Sequence, residues 1–207
     1  MKSPAFIFGK CSLMIVLLTA AFLTACSDKV DESDIYTFKG ETITSYLEKS
    51  ENFTDFAYIL SRVKLSKRSE STIAQLLSAR GNYTVFAPTN DAVQHYLDSV
   101  YQTTDYDITQ IPDSVADYIA RNAIIDCEDL NAYQTTDFNV GTLERTNMDD
   151  RYITVDFDTI NGGNLATIIN NSARIVLPDI EVYNGYIHGV NQVLSLSRAT
   201  VPALIES

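Results

Sequence analysis

Apolar side chains at Phe53, Phe56, Ala57, Leu60 and Val63 recur with the spacing that puts them on one face of a helix. Asn52 or Thr54 can cap its start by accepting orphan backbone N–H groups. A shorter helix over about 42–49 carries Ile43, Tyr46 and Leu47, and another with Ile73, Leu76 and Leu77 ends near Gly81. The β-branched and aromatic run Tyr83-Thr84-Val85-Phe86 before Pro88 predicts a short strand. Thr89, Asn90 and Asp91 then supply cap oxygens and first-turn negative charge to a helix through Ala92, Val93, Tyr96 and Leu97.

Residues 102–113 are polar and predict an exposed loop. A further helix follows from Ser114 through Val115, Tyr118 and Ile119, and Ile124-Ile125 reads as a strand. The period then changes to two. Phe138, Val140 and Leu143 are strand-like, and Ile153, Val155 and Phe157 alternate with Tyr152, Thr154 and Asp156. Asn161-Gly162-Gly163-Asn164 marks a turn. Ile168-Ile169, Ile175-Val176-Leu177 and Ile187 through Leu196 complete the strands. Helices first and strands afterwards predict an α+β domain rather than alternating βαβ units around a parallel sheet.

The N-terminal pattern differs from everything after it. Lys2 and Lys10 precede residues 11–25, which carry no charge and end in Leu23-Thr24-Ala25-Cys26. A basic start, a short apolar run and small residues at its end make a secretory signal peptide, and the run is too short for a membrane span. Leu-Thr-Ala-Cys resembles a bacterial lipobox, which implies cleavage before Cys26 and lipidation of its thiol. The expected organisation is a lipoprotein signal peptide over 1–25, an acidic tether over 26–39, one domain over 40–198 and a C-terminal tail over 199–207. Removal of 1–25 leaves 182 residues and shifts the net charge from −12 to −14. Cys127 is then the one remaining thiol, so no intramolecular disulfide can form. The tether holds four acids within residues 27–34 and resembles an export signal to the outer face of the outer membrane. The expected partner is therefore a membrane, reached through the lipid anchor. Surface exposure on the outer membrane is the expected location, with a periplasm-facing position as the alternative.

Composition narrows the function. With 27 acidic residues against 15 Lys and Arg, the chain lacks the basic footprint that nucleic acid requires. Three Cys and two His are too few for a multi-ligand zinc site, and no Gly-rich phosphate loop is present. Nothing in the spacing supports a Cys–His nucleophile pairing Cys127 with His95 or His188. No catalytic set, metal site or cofactor is expected. A lone His188 without partner ligands reads as a structural histidine.

Two segments carry a family resemblance. Asn82-Tyr83-Thr84-Val85-Phe86-Ala87-Pro88-Thr89-Asn90-Asp91-Ala92-Val93 resembles the first signature of the fasciclin (FAS1) domain, and Asn184-Gly185-Tyr186-Ile187-His188-Gly189-Val190-Asn191-Gln192-Val193-Leu194 is similar to the second. Their order and their separation of about 100 residues also fit. The resemblance covers roughly 40–198 and implies a β-sandwich wedge with helices packed on it. It also implies cell adhesion, or binding of a protein or glycan ligand, at the cell surface. An accessory subunit of an envelope complex, for example in glycan capture, is the alternative. Leu177-Pro178-Asp179-Ile180 resembles an Asp-Ile element linked to adhesion in the family, making Asp179 and Ile180 candidate ligand contacts. Tyr101, Tyr106 and Tyr133, in or beside polar loops, are further candidates. Ala123 stands where the family often has His, Val93 where Phe is common and Asn191 where Asp is.

Overall fold

The computed structural model describes residues 40–159 and 165–195. The expected signal peptide, Cys26, the expected tether, the turn expected at 161–164 and the C-terminal tail lie outside the described residues. Helices lead: α1 (Ile43–Lys49), α2 (Thr54–Arg62) and α3 (Ile73–Ser78) precede β1 (Tyr83–Pro88), and α4 (Asn90–Tyr101) and α5 (Asp113–Asn122) follow it. Strands β2 (Ile124–Asp126), β3 (Gly141–Thr146), β4 (Tyr152–Thr159), β5 (Leu165–Ile169), β6 (Ala173–Val182) and β7 (Gly185–Val190) complete the described chain. Short 3-10 turns occupy Ile108–Gln110 and Thr135–Asp137.

Local chemistry explains most boundaries. Thr72 accepts the N–H of Gln75 while the Gln75 side chain accepts that of Thr72, a reciprocal cap at the start of α3. Thr42 and Thr89 cap α1 and α4 through their hydroxyls. Gln102, at φ 51°, ends α4 in the left-handed region. Four expectations need correction. Neither Asn52 nor Thr54 caps α2: Phe53 sits at that position and makes no side-chain cap bond. The 102–113 loop contains the turn Ile108–Gln110, since Asp107 Oδ1 accepts the N–H of Thr109. Phe138 and Val140 precede β3 rather than belong to it. The last strand stops at Val190 instead of reaching Leu196, although Val193 and Leu194 are buried beyond it.

The strands run in the order β2-β1-β7-β6-β5-β4-β3. Neighbours are antiparallel except β1 and β7, which are parallel with Tyr83 opposite Gly185 and Pro88 opposite Val190. The sheet is thus mixed, with one parallel pair that periodicity could not announce. The α+β class stands.

Two cores flank β1, all six of whose residues are buried. Val85, Ala87 and Ile187 join Phe53, Phe56, Leu60, Leu77, Leu97 and Ile119 beneath the helices. Phe86, Ile125 and Val190 instead meet Leu143, Ile153, Val155 and Ile169 from the far strands. Burial on both faces explains why this strand reads as an unbroken apolar run rather than an alternating one. The second core lies between the two halves of the sheet, the arrangement of a sandwich.

Candidate functional site

The two signature segments are register partners. β1 carries the first and β7 the second, so Thr84 faces Tyr186, Val85 faces Ile187 and Phe86 faces His188 along one parallel ladder. Beyond the strand, the N–H of Thr89 continues the ladder to the carbonyl of Val190 at 3.1 Å. Two segments distant in sequence therefore make one central element.

Asparagines at its ends tie it to the helices. Asn90 Oδ1 accepts the N–H of Asp55 at 3.1 Å, and its Nδ2 donates to Glu51 O at 2.8 Å and Thr54 Oγ1 at 3.0 Å. This side chain supplies the cap that α2 lacks from its own sequence. Asn184, 1% exposed, works harder. Its Oδ1 accepts Ile43 N–H at 3.0 Å, and its Nδ2 donates to Leu77 O at 2.7 Å and Ala79 O at 2.9 Å. One amide thus satisfies the first turn of α1 and the last turn of α3. Gly185 has φ 144°, and a Cβ there would lie 1.8 Å from Tyr83 O. Asp91 is exposed in the first turn of α4, where its charge favours the helix N-terminus.

His188 is fully buried, with both ring nitrogens bonded. Nδ1 accepts the backbone N–H of Asp179 at 3.2 Å, so Nε2 carries the proton and donates to Tyr133 O at 2.9 Å. Burial pushes the imidazole below its ordinary pKa, which outweighs the opposing pull of the Tyr133 carbonyl and the Asp179 charge. The ring packs between Phe86 and Phe138, with centroids 5.5 and 5.4 Å away. Thr84 Oγ1 accepts the N–H of Tyr133 at 2.8 Å from the same face of β1. Asp179 sits at φ 55° where β6 shifts register, next to Pro178. Its carboxylate accepts both the N–H and the hydroxyl of Thr135. The candidate contacts Tyr133 and Asp179 are thereby brought together through His188. The Asp179 carboxylate is spent on holding the 131–137 loop, and Ile180 is partly buried against the helical core.

Tyr101 and Tyr106 lie elsewhere, at the end of α4 and in the connection that follows it. Their rings stack at 4.4 Å against the helical core. Asp98 orders that loop, since its carboxylate accepts N–H groups of Tyr106 and Asp105 and an amide hydrogen of Gln94. These bonds, the Tyr106 N–H foremost, hold the Asp98 carboxyl below the usual carboxylate range. Among the described residues no hydrogen bond or ring contact joins this pair to Tyr133, so the three tyrosines do not form one face.

A groove of about 550 Å³ opens at the start of the β1–β7 ladder, lined by the 130–134 segment, Asp137, Glu144 and the β6–β7 hairpin from Glu181 to Tyr186. Gln134 Nε2 donates to Tyr186 Oη at 2.9 Å across it. Tyr133 Oη is enclosed beside the backbone of Glu144 and Arg145. Glu144, Glu181 and Tyr183 escaped sequence reading. The signal available was slight: Tyr183 and Tyr186 bracket the Asn184-Gly185 turn. A second hollow of about 460 Å³ is bordered by Arg62, Lys64, Lys67 and Arg121, but its guanidinium groups are committed to Asp113, Asp117 and backbone carbonyls.

Of the departures from the family pattern, Ala123 and Val93 are buried in the helical core, and Asn191 Oδ1 accepts the N–H of Arg174 at 2.8 Å. Cys127 is buried and free, 3.6 Å from Thr84 Oγ1, and burial pushes its thiol pKa up. His95 is exposed on α4. Among the described residues, no His, Cys, Asp and Glu group is placed to hold a metal ion, and no helix is long and apolar enough to cross a membrane.

A family model described as the Fasciclin domain matches residues 51–196. Among solved structures, the chain is similar to a FAS1 domain pair from the insect cell adhesion molecule fasciclin I, at 19% identity and a TM-score of 0.53. That likeness covers 74% of this chain and 50% of the other, so it shows the fold alone. No curated protein matches.

Proposed function

The chain belongs to the fasciclin domain family, and from that premise we propose that it is a lipid-anchored extracytoplasmic module mediating adhesion, or binding of a protein or glycan ligand, at the cell surface. The observation that carries this reading is the order of parts. An uncharged run ending in Leu23-Thr24-Ala25-Cys26 and an acidic stretch precede a domain whose signatures build its centre. An acylated Cys26 anchors the chain to a membrane face. The domain is a binding module and not an enzyme.

Acyl labelling in bacterial cells tests the anchor. The expected result is label on the chain and in the membrane fraction, and loss of both in Cys26→Ala. Protease treatment of intact cells should cleave the domain. A chain without acyl label overturns the anchor, and a chain cut only after lysis overturns surface display.

A second reading is an accessory subunit of an envelope complex that captures glycan. The groove carrying Tyr183, Tyr186 and free-standing carboxylates favours it over a purely protein-directed role.

A further inference from the structure

We propose that the groove at the start of the β1–β7 ladder is a binding site for a neutral carbohydrate chain. This rests on the reading of the domain as a ligand-binding module and names the ligand class.

The sign of the groove comes first. Asp137, Glu144 and Glu181 line it, and no Lys, Arg or His does. An anionic ligand would meet three like charges with no counter-charge, which costs affinity and slows encounter. Sulfated, phosphorylated and uronic-acid chains are thereby disfavoured.

Available bonding groups come next. The carboxylates of Glu144 and Glu181 make no hydrogen bond or ion pair among the described residues, although most exposed acids around them are engaged. A carboxylate only accepts, so its natural partner is a donor, and charge-assisted bonds from hydroxyls are the strong kind. A sugar offers adjacent hydroxyl donors. Asn131 is exposed on the same wall and adds amide donors for ring and hydroxyl oxygens.

The aromatics supply the rest. Tyr183 is 43% exposed, and Tyr186 is half-buried opposite Glu181 in the β6–β7 register. A tyrosine ring gives broad apolar area at little cost in side-chain entropy, with a polar tip. A pyranose has an apolar C–H face edged by hydroxyls, the complement of a tyrosine flanked by carboxylates. A peptide would need a deep apolar pocket for an anchoring side chain, whereas this lining is mostly polar.

The site is also preorganised. Gln134 fixes the Tyr186 hydroxyl, and Gln134 N–H is held by Asp137 Oδ2 at 2.9 Å. Gly185 seats the hairpin on Tyr83, and His188 pins the 131–137 loop from beneath. Groups already held in place lose little freedom on binding.

The test is isothermal titration of the full-length chain, in a detergent without a sugar headgroup. The probes are maltohexaose, cellohexaose, xylohexaose, trigalacturonate and decalysine. At least one neutral hexasaccharide should bind saturably, and trigalacturonate should not. Tyr183→Ala and, as a volume-conserving change, Glu181→Gln and Glu144→Gln should each weaken it on the order of tenfold. Lys67→Ala, at the other hollow, should not change it, and thermal melts of the Gln variants should match the parent. Absence of binding by all three neutral hexasaccharides overturns the proposal, as does tighter binding of trigalacturonate or decalysine, or binding that both Gln variants retain. Acylation at Cys26 and protease cleavage on intact cells are scored separately, so failure of the sugar site leaves the surface-module reading standing.

Discussion

The side-chain oxygen of Asn184 accepts the backbone N–H of Ile43 at 3.0 Å, joining residues 141 positions apart. With its Nδ2 bonded to Leu77 O and Ala79 O, this amide occupies a buried junction of α1, α3 and the entry to β7. Every bond is to backbone at a helix end, and those to Ile43 N–H and Leu77 O are buried, so a partner lost there leaves a group that water cannot reach. Asn184→Ala should therefore destabilise the fold by about 3 kcal/mol, within the range for several unsatisfied buried groups. Asn184→Asp keeps the acceptor but loses both donors and introduces a buried charge, so it should be no milder. Urea denaturation followed by far-UV circular dichroism measures both. A loss below ~1 kcal/mol for Asn184→Ala would show that the helix ends find other partners.

Asn184 also shows how far the sequence could be read. Asn-Gly announces a turn, and the turn is there, since Tyr183 and Asn184 connect β6 to β7, which begins at Gly185. What local pattern cannot carry is the identity of a distant partner. Periodicity located β1 and the start of β7 separately, yet their parallel pairing needs the chain to return across the whole helical and antiparallel region between them. The missing cap of α2 has the same origin. Asn52 and Thr54 were the local candidates, and the oxygen came from Asn90, 35 residues on. Asp179 had the type and exposure of a ligand contact, but a register shift in β6 turned it toward Thr135. The groove was the least legible part, because Glu144, Glu181 and Tyr183 come from separate strands and turns that only the fold brings together.

Gly185 permits no side chain. Its φ of 144° lies where residues with a Cβ are strained, and the Cβ itself would sit 1.8 Å from a backbone oxygen of β1. Because the obstacle is backbone of the central strand, relief requires separating β1 from β7. Gly185→Ala should cost more than about 3 kcal/mol, well above the usual range for a surface turn. The expected readout is loss of the cooperative thermal transition or a chain recovered in aggregates. A variant melting within a few degrees of the parent would mean that the hairpin can be re-seated.

His188 makes stability depend on pH in a definite direction. Burial holds its folded-state pKa below the ordinary value of 6.5. Well above pH 6.5 the imidazole is neutral in both states and contributes no pH dependence. As the pH falls below that value, the unfolded chain binds a proton that the folded chain refuses, so stability declines until the folded-state pKa is reached. Protonation would also place a hydrogen on Nδ1 against the Asp179 N–H that it now accepts. Urea midpoints measured from pH 7.5 to 5.5 should fall for the parent chain. His188→Gln, starting from lower stability, should show a flatter profile over the same interval. Parallel slopes for the two chains would assign the pH dependence to other groups.

Asn90 offers the mildest of these tests, and the most discriminating. Three bonds converge on one side chain: the acceptor for Asp55 N–H and the donors to Glu51 O and Thr54 Oγ1. Both donor bonds are exposed, so water can replace them at little cost, whereas the acceptor bond is partly buried and closes the first turn of α2. If capping is its main contribution, Asn90→Ala should lose about 1 kcal/mol, the usual value for a helix N-cap. Asn90→Asp retains the acceptor and adds negative charge near a helix N-terminus, so it should recover most of that loss despite removing both donors. Chemical denaturation of the three chains at pH 7, where the introduced aspartate is ionised, separates the contributions. Recovery in Asn90→Asp identifies the cap as the stabilising bond. Equal losses in both variants would instead assign it to the tie between Asn90 and the 51–54 turn.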